Sequence, residues 1–151
     1  MLTYDFQSSI GYWICTAAHD FERSMNHELT PEGITFRQCQ VLACLALEGR
    51  LSQVELAERM NIEPPTLVRV LDRMERDGLL LRESCPDDRR RKMIRPLPKA
   101  KPVWKRIIAC AERVRANATR GMTSSQLKQL KQLLNVVHNN LSANDTLQES
   151  A

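Results

Sequence analysis

The chain has 151 residues, of which 42% are hydrophobic and 26% are charged, the composition of an ordinary globular domain. Its formal charge of +4 is mildly basic and slightly favours nucleic acid as a partner. The sequence has neither a segment apolar enough to span a bilayer nor a signal peptide, so we expect a cytoplasmic protein without a membrane partner. Five cysteines without a C-x-x-C pair indicate neither a disulfide framework nor a zinc site, and no metal or cofactor is expected.

The first half of the chain is predicted to be helical. Apolar residues at helical spacing predict a helix over residues 6–29. Thr35 is placed to cap a second helix, which Gly49 ends. Ser52 and Glu55 then form the capping box of a short third helix, in which each side chain satisfies a backbone N–H of the other residue.

A fourth helix is predicted to begin at a pair of prolines. Pro64 or Pro65 suits a first helical turn, because the N–H that proline lacks would be unpaired there. The helix is predicted to reach Asp77, with Gly78 just beyond its end. One face carries three polar residues at positions i, i+3 and i+7: Thr66, Arg69 and Arg73.

Two short strands around a basic tip are predicted next, at residues 79–83 and 92–95. Between them lie a turn at residues 85–88 and the cationic run Arg89-Arg90-Arg91-Lys92. Like charges packed together repel one another unless a polyanion meets them. The pattern therefore indicates a β-hairpin whose tip meets nucleic acid.

The last third of the chain is again helical by its pattern. A long helix is predicted after Pro98 and is broken at Gly121. Thr123, Ser124 or Ser125 caps a final helix with an apolar stripe. Because the first and last helices carry apolar stripes that one small lobe leaves without an obvious partner, we predict a homodimer.

Two short helices joined by a tight turn and followed by a basic hairpin form a winged helix-turn-helix. The major groove of DNA admits one helix, and an arginine can donate two hydrogen bonds to a guanine edge. Arg69 and Arg73 alone would favour an ordinary solvated surface, because three carboxylates lie on the same helix: Asp72, Glu75 and Asp77. The basic hairpin makes DNA binding the favoured interpretation, because a thin cationic loop fits into a minor groove.

The most specific motifs lie between residues 51 and 102. They are Leu56-Ala57, the run from Ile62 to Arg69 with Leu71-Asp72, Asp77-Gly78-Leu79, the run from Cys85 to Arg90 with Lys92, and Lys99-Ala100-Lys101-Pro102. With these motifs the sequence resembles the MarR family of winged-helix regulators, and within it the SlyA-like branch. Leu97-Pro98 departs from the family, which usually has Leu-Thr there.

The resemblance implies a bacterial transcriptional regulator that binds a palindromic double-stranded DNA operator as a homodimer. Arg69 would contact bases, and Arg89 or Arg90, steadied by an aspartate of the wing, would enter the minor groove. The DNA-binding residues are predicted to be Pro65, Thr66, Arg69, Arg73, Asp87, Arg89, Arg90 and Arg91.

The expected fold is mainly α with a small β-hairpin wing, in a single MarR-like domain over residues 1–151. Residues 34–97 are predicted to form the winged-helix DNA-binding lobe. Residues 1–33 and 98–142 would form a helical dimerisation region, and residues 143–151 a flexible tail.

Many members of the family bind small aromatic acids between the dimer helices and the DNA-binding lobe. The residues that could line such a pocket here are Trp13, His19, Arg37 and Trp104, although each alone also suits interface packing or the surface. A small aromatic or phenolic effector is therefore an expected partner.

Several alternatives remain at this stage. The chain could be an architectural, anti-silencing DNA-binding protein without a ligand, or a winged-helix module for protein interactions. A thiol-based redox regulator would use Cys15 or Cys85. The sequence contains no nucleophile-elbow, P-loop, zincin or dinucleotide motif, so catalysis is not expected.

Overall fold

The computed structural model describes residues 5–85, 88 and 91–148, and the chain divides into two compact units, Met1–Val114 and Arg115–Ala151. The elements in chain order are α1 (Ile10–Leu29), a short 3-10 helix (Thr30–Glu32), α2 (Phe36–Glu48), β1 (Leu51–Ser52), α3 (Gln53–Met60), α4 (Pro64–Arg76), β2 (Leu80–Ser84), β3 (Lys92–Pro96), α5 (Ala100–Ala118) and α6 (Ser124–Gln148). This mostly helical architecture with one small antiparallel sheet confirms the predicted fold class.

Helix α1 begins four residues later than the apolar spacing predicts. The Asp5 carboxylate accepts the backbone N–H groups of Gln7 and Ser8, at 3.1 and 3.2 Å, and holds residues 6–8 in a turn. The Ser9 hydroxyl then accepts the N–H of Tyr12 and caps the helix. An aspartate that bonds its own neighbouring backbone competes with helix formation, and the periodicity of apolar residues does not record that competition.

The capping signals read from the sequence are confirmed. The Thr35 hydroxyl accepts the N–H of Gln38 at 3.2 Å, and the Gln38 side-chain oxygen accepts the N–H of Thr35 at 3.0 Å. Ser52 and Glu55 exchange the same pair of hydrogen bonds at the start of α3. Gly78, with φ of 72°, follows the end of α4 in the left-handed region that favours glycine.

The wing is a three-stranded sheet of order β1-β3-β2, where the sequence predicts a two-stranded hairpin. Strand β1 pairs antiparallel with β3 through Leu51↔Ile94 and Ser52↔Met93. Two residues are too few to show the alternation that marks a strand, so β1 has no sequence signal of its own. The pairing joins the start of α3 directly to the return strand of the wing.

One apolar core joins the helix-turn-helix to the wing. Its fully buried apolar side chains come from α1, α2, α3, α4, β2, β3 and α5: Leu29, Val41, Leu56, Leu67, Leu71, Met74, Leu80, Ile94, Ile107 and Cys110. Fully burying one such side chain contributes about 1.5–3 kcal/mol. The orientation of α4 relative to the sheet is therefore fixed by packing.

The second unit contains the end of α5, a turn and α6. Gly121 has φ of 82°, and the Thr123 hydroxyl accepts the N–H of Gln126, which caps α6 as predicted. Helix α6 continues to Gln148, past the position where the expected tail starts, because no proline or glycine follows Ser142 to end it. Four of its leucines are exposed: Leu130, Leu133, Leu134 and Leu141.

Candidate nucleic-acid interface

The outward face of α4 carries the residues that the sequence assigns to the major groove. Leu67, Leu71 and Met74 fix the buried face of this helix. Pro65, Thr66, Arg69 and Arg73 are all exposed. The helix therefore presents two guanidinium groups one helical turn apart, on a side where the core cannot cover them.

Two of the carboxylates on α4 are bound by an arginine of the wing. The Arg82 guanidinium on β2 lies 2.6 Å from Asp72 Oδ1 and 2.6 Å from Glu75 Oε2. The backbone N–H of Arg82 also donates to Glu75 Oε1, at 2.9 Å. Hydrogen bonds from Arg82 lower the pKa of Glu75. These contacts tie α4 to β2 and neutralise part of the negative charge of α4.

The third carboxylate, Asp77, accepts a hydrogen bond from its neighbour Arg76 at 3.3 Å. Arg69 and Arg73 form no ion pair within the part of the chain that the structure describes. All three carboxylates, Asp72, Glu75 and Asp77, are thus paired with arginines other than Arg69 and Arg73. The helix keeps two uncompensated cations on its exposed face, a charge pattern suited to a polyanion.

The wing is described at its base. Of the predicted wing residues, Asp87, Arg89 and Arg90 lie outside the described residues. Arg91 is held in the hairpin by its backbone: its carbonyl accepts the N–H of Cys85 and its own N–H donates to the Asp88 carbonyl, both at 2.9 Å.

The Arg91 side chain leaves the hairpin and donates to Glu55 Oε1 at the start of α3. Glu55 Oε2 accepts the Ser52 N–H at 2.7 Å. Hydrogen bonds from Ser52, and then from Arg91, lower the pKa of Glu55 to about 2. The carboxylate is therefore charged at any pH above that value. Sequence reasoning missed this pair, because a capping glutamate gives no sign of a second partner 36 residues away.

A cavity of about 320 Å³ lies between α2 and the segment that joins β3 to α5. It is lined by Leu42, Leu45, Ala46, Arg95, Pro96, Leu97, Pro98, Ala100, Lys101 and Trp104. The walls are mainly apolar, and Lys101 and Arg95 supply the cations. Arg95 also donates to Glu83 at 3.1 Å. The volume is at the lower end of the range for small-molecule sites.

Only one of the four residues predicted to line a ligand pocket lies at this cavity, namely Trp104. Trp13 and His19 are exposed on α1, where the Trp13 indole donates to the Gln7 carbonyl at 2.9 Å. Arg37, at the start of α2, donates to Gln40. The structure does not bring these three side chains to Trp104.

All five cysteines are free thiols. Cys39 and Cys110 are buried, and burial, with Cys110 nearby, raises the pKa of Cys39 to about 11. Cys15 is exposed on α1, and Cys44 and Cys85 are half-buried. Burial also raises the pKa of Cys44. A raised pKa keeps a thiol protonated at neutral pH and slow to react with peroxide.

Across the described ranges, no helix is long and apolar enough to cross a membrane. Nor do those ranges bring three or more histidine, cysteine, aspartate or glutamate side chains together as a metal site.

Residues 34–92 match the model of the MarR family. This range runs from two residues before α2 to the first residue of β3, and so contains the whole helix-turn-helix. The match covers the region where the structure places Arg69, Arg73 and the base of the wing.

Solved structures of MarR-family regulators share the fold. A cysteine-to-serine variant of MarR from E. coli, complexed with operator DNA, is 23% identical with a TM-score of 0.76; the match covers 89% of this chain and 99% of that one. A MarR-family regulator from Rhodococcus sp. RHA1 is 20% identical with a TM-score of 0.80, over 89% and 96% of the two chains. BpsR from Bordetella bronchiseptica, whose DNA binding is regulated by 6-hydroxynicotinic acid, is 20% identical with a TM-score of 0.77, over 91% and 98%.

Proposed function

We propose that this chain, whose residues 34–92 match the model of the MarR family, is a bacterial transcriptional regulator of that family and of its SlyA-like branch, and that it binds double-stranded operator DNA as a homodimer. It acts in the cytoplasm on chromosomal DNA and performs no catalysis. Pro65, Thr66, Arg69 and Arg73 form its major-groove face, and the basic wing enters the adjacent minor groove.

The observation that carries this proposal is the charge arrangement on α4. Arg82 engages Asp72 and Glu75 on the side of the wing, while Arg69 and Arg73 stay exposed and without an ion pair among the described residues. On a helix that only faces solvent, arginines and carboxylates three or four residues apart would stabilise the helix by pairing with each other. Selection from random-sequence duplexes tests the proposal: a recovered palindromic motif supports it, and recovery of no motif contradicts it.

Homodimer formation is supported by two apolar surfaces that are exposed in the single chain. On α1, Ile10 is 67% and Trp13 53% exposed. On α6, the exposed large hydrophobic residues are Leu130, Leu133, Leu134, Val136 and Leu141. Large contiguous apolar surfaces on monomers mark interaction sites. A second copy of the chain offers the same surfaces in return, as a two-fold interface requires.

A small aromatic acid is the proposed effector, and the cavity beside Trp104 is its proposed site. Apolar walls and an aromatic ring suit an aromatic body, while Lys101 and Arg95 at the same cavity suit a carboxylate. One wall is the segment from Arg95 to Pro98, which links the wing to α5. A ligand there would act on the angle of the wing.

Filling the cavity is expected to weaken effector binding. Ala46 is an exposed residue that lines the cavity, so Ala46→Phe adds a ring that competes with the ligand for the same space, and we expect the affinity for benzoic acid or 6-hydroxynicotinic acid to fall about tenfold or more. The matched control is Leu47→Phe, at a residue that is 83% exposed and does not line the cavity. Titration calorimetry measures both. Equal affinities for the two variants would place the effector elsewhere.

An architectural DNA-binding protein without a ligand is the second candidate function. It predicts that neither acid binds and that random-sequence selection recovers only a broad A·T preference. The cavity favours the ligand-controlled regulator over this alternative, because an architectural protein has no use for it.

Mild peroxide treatment is expected to leave operator affinity unchanged to within about twofold. The reason is that Cys39 and Cys110 are buried and the pKa of Cys39 is raised, while the exposed Cys15 lies on α1, outside residues 34–92. A gel-shift assay before and after treatment measures the effect. Loss of binding that dithiothreitol restores would favour the thiol-based regulator, and Cys15→Ser and Cys85→Ser would then locate the sensor.

A further inference from the structure

We propose that Arg91 is a positioning residue for DNA binding: its guanidinium, held by Glu55, locks the base of the wing onto the start of α3 and does not contact DNA. This inference rests on the proposed function. It separates Arg91 from the rest of the basic run, in which the sequence alone assigns every arginine the same role.

The first support is that the Glu55 carboxylate and the backbone of Arg91 are each held by other hydrogen bonds. The backbone of Arg91 is held by hydrogen bonds to Cys85 and Asp88 within the hairpin. The Glu55 carboxylate is held by the Ser52 N–H at 2.7 Å. A surface ion pair usually contributes little, because two long side chains must be ordered to form it. Here the ordering of Glu55 is already provided by the helix cap.

The second support is that the ion pair reinforces a very short strand pairing. Ser52, whose N–H binds Glu55, pairs in β1 with Met93, two residues after Arg91. The ion pair and the strand pairing therefore hold the same two parts of the chain together, the start of α3 and the base of the wing. Strand β1 contributes only two residue pairs to β3, so few backbone hydrogen bonds join these two strands.

The third support is electrostatic. Glu55 is a carboxylate at the base of a wing that is proposed to approach phosphates. An unpaired carboxylate there would repel DNA, because a glutamate side chain is charged near neutral pH. If the Arg91 side chain contacted DNA instead, the charge of Glu55 would be left uncompensated. The ion pair with Glu55 is therefore the more favourable arrangement.

Glu55→Gln distinguishes the two roles by the sign of its effect. Glutamine keeps the helix cap, as Gln38 does at the start of α2, but it removes the charge that holds Arg91. If Arg91 positions the wing, affinity for the selected duplex falls roughly three- to tenfold, although the variant is less negative. If Arg91 contacts DNA, the same substitution frees it and binding tightens.

Arg91→Met and the double variant complete the test. We expect Arg91→Met to weaken binding at least as much as Glu55→Gln does, because it also leaves the Glu55 carboxylate unpaired. We expect the double variant to be no weaker than Arg91→Met, and the dependence of affinity on salt to be unchanged. A lost phosphate contact would instead lower that slope by about one. Glu58→Gln, which removes an exposed charge from the same helix, is the control and should not weaken binding.

The outcomes separate this inference from the proposed function. Tighter binding by Glu55→Gln, additive losses in the double variant or a reduced salt slope for Arg91→Met would overturn the positioning role while leaving DNA binding intact. Failure of the unmodified protein to select any duplex would instead overturn the proposed function.

Discussion

Leu134→Glu on α6 is expected to convert the protein from a dimer to a monomer and to weaken operator binding by about 100-fold or more. Leu134 is 47% exposed in the single chain, so the glutamate leaves the fold of the chain itself unharmed. In a dimer the same position would bury an unpaired charge, which is strongly unfavourable. A monomer binds one half-site of the operator at a time. Linking the two half-sites through a dimer raises the affinity by about 10²–10⁴-fold, and the monomer loses this gain.

Light scattering at micromolar concentration measures the molecular mass. This mass should fall from twice the 17.3 kDa of one chain to the mass of one chain. Gln132→Glu adds the same charge two residues earlier on α6 and should leave the dimer intact. A folded monomer for the unmodified protein would contradict the predicted homodimer. A dimeric Leu134→Glu would move the interface away from this face of α6.

Arg69→Ala is expected to weaken binding to the selected operator by about 1–3 kcal/mol, or roughly 5- to 150-fold, and to weaken binding to scrambled duplexes much less. Arg69 lies on the exposed face of α4 without an ion pair in the described structure, so its guanidinium is available to a guanine edge. Loss of a base contact removes discrimination, whereas loss of a phosphate contact removes affinity for all sequences alike.

Arg69→Lys sharpens this test. Lysine keeps the charge but lacks the planar pair of donors, so non-specific binding should survive while specificity falls. Arg23→Ala, at an exposed arginine of α1 that pairs with Asp20, removes the same charge outside residues 34–92 and is the control. Titrations against operator and scrambled duplexes at several salt concentrations provide the comparison. An equal loss on both duplexes would reassign Arg69 to a phosphate.

Both predictions depend on the same architecture. The core buried beneath α4 fixes which of its residues face outward, and Arg82 ties the helix to β2. If the chain dimerises through α1 and α6, two such helices are presented to the two halves of a palindrome. An effector beside Trp104 would act through the segment between β3 and α5, and the Glu55–Arg91 pair would pass that change in wing angle to the start of α3.

The sequence by itself determined the helix ends of the winged-helix segment. Thr35, Ser52, Pro64 and Gly78 each stand where the sequence places a cap, a start or an end. Caps, prolines and glycines act on backbone groups within about four residues, so their effect can be read locally. The mainly α fold with a small sheet follows from the same signals. Where a local bond competes with periodicity, as Asp5 does before α1, the pattern of apolar residues fails.

Only the tertiary structure decided which charges remain free for a partner. The sequence contains both the arginines and the carboxylates of α4, but Arg82, on the adjacent strand, determines that Asp72 and Glu75 are engaged while Arg69 is not. The pairing of β1 with β3, the Glu55–Arg91 contact and the cavity beside Trp104 likewise join residues far apart in the chain. Such contacts depend on how helices and strands are oriented by the shared core, and no local pattern of residues encodes that orientation.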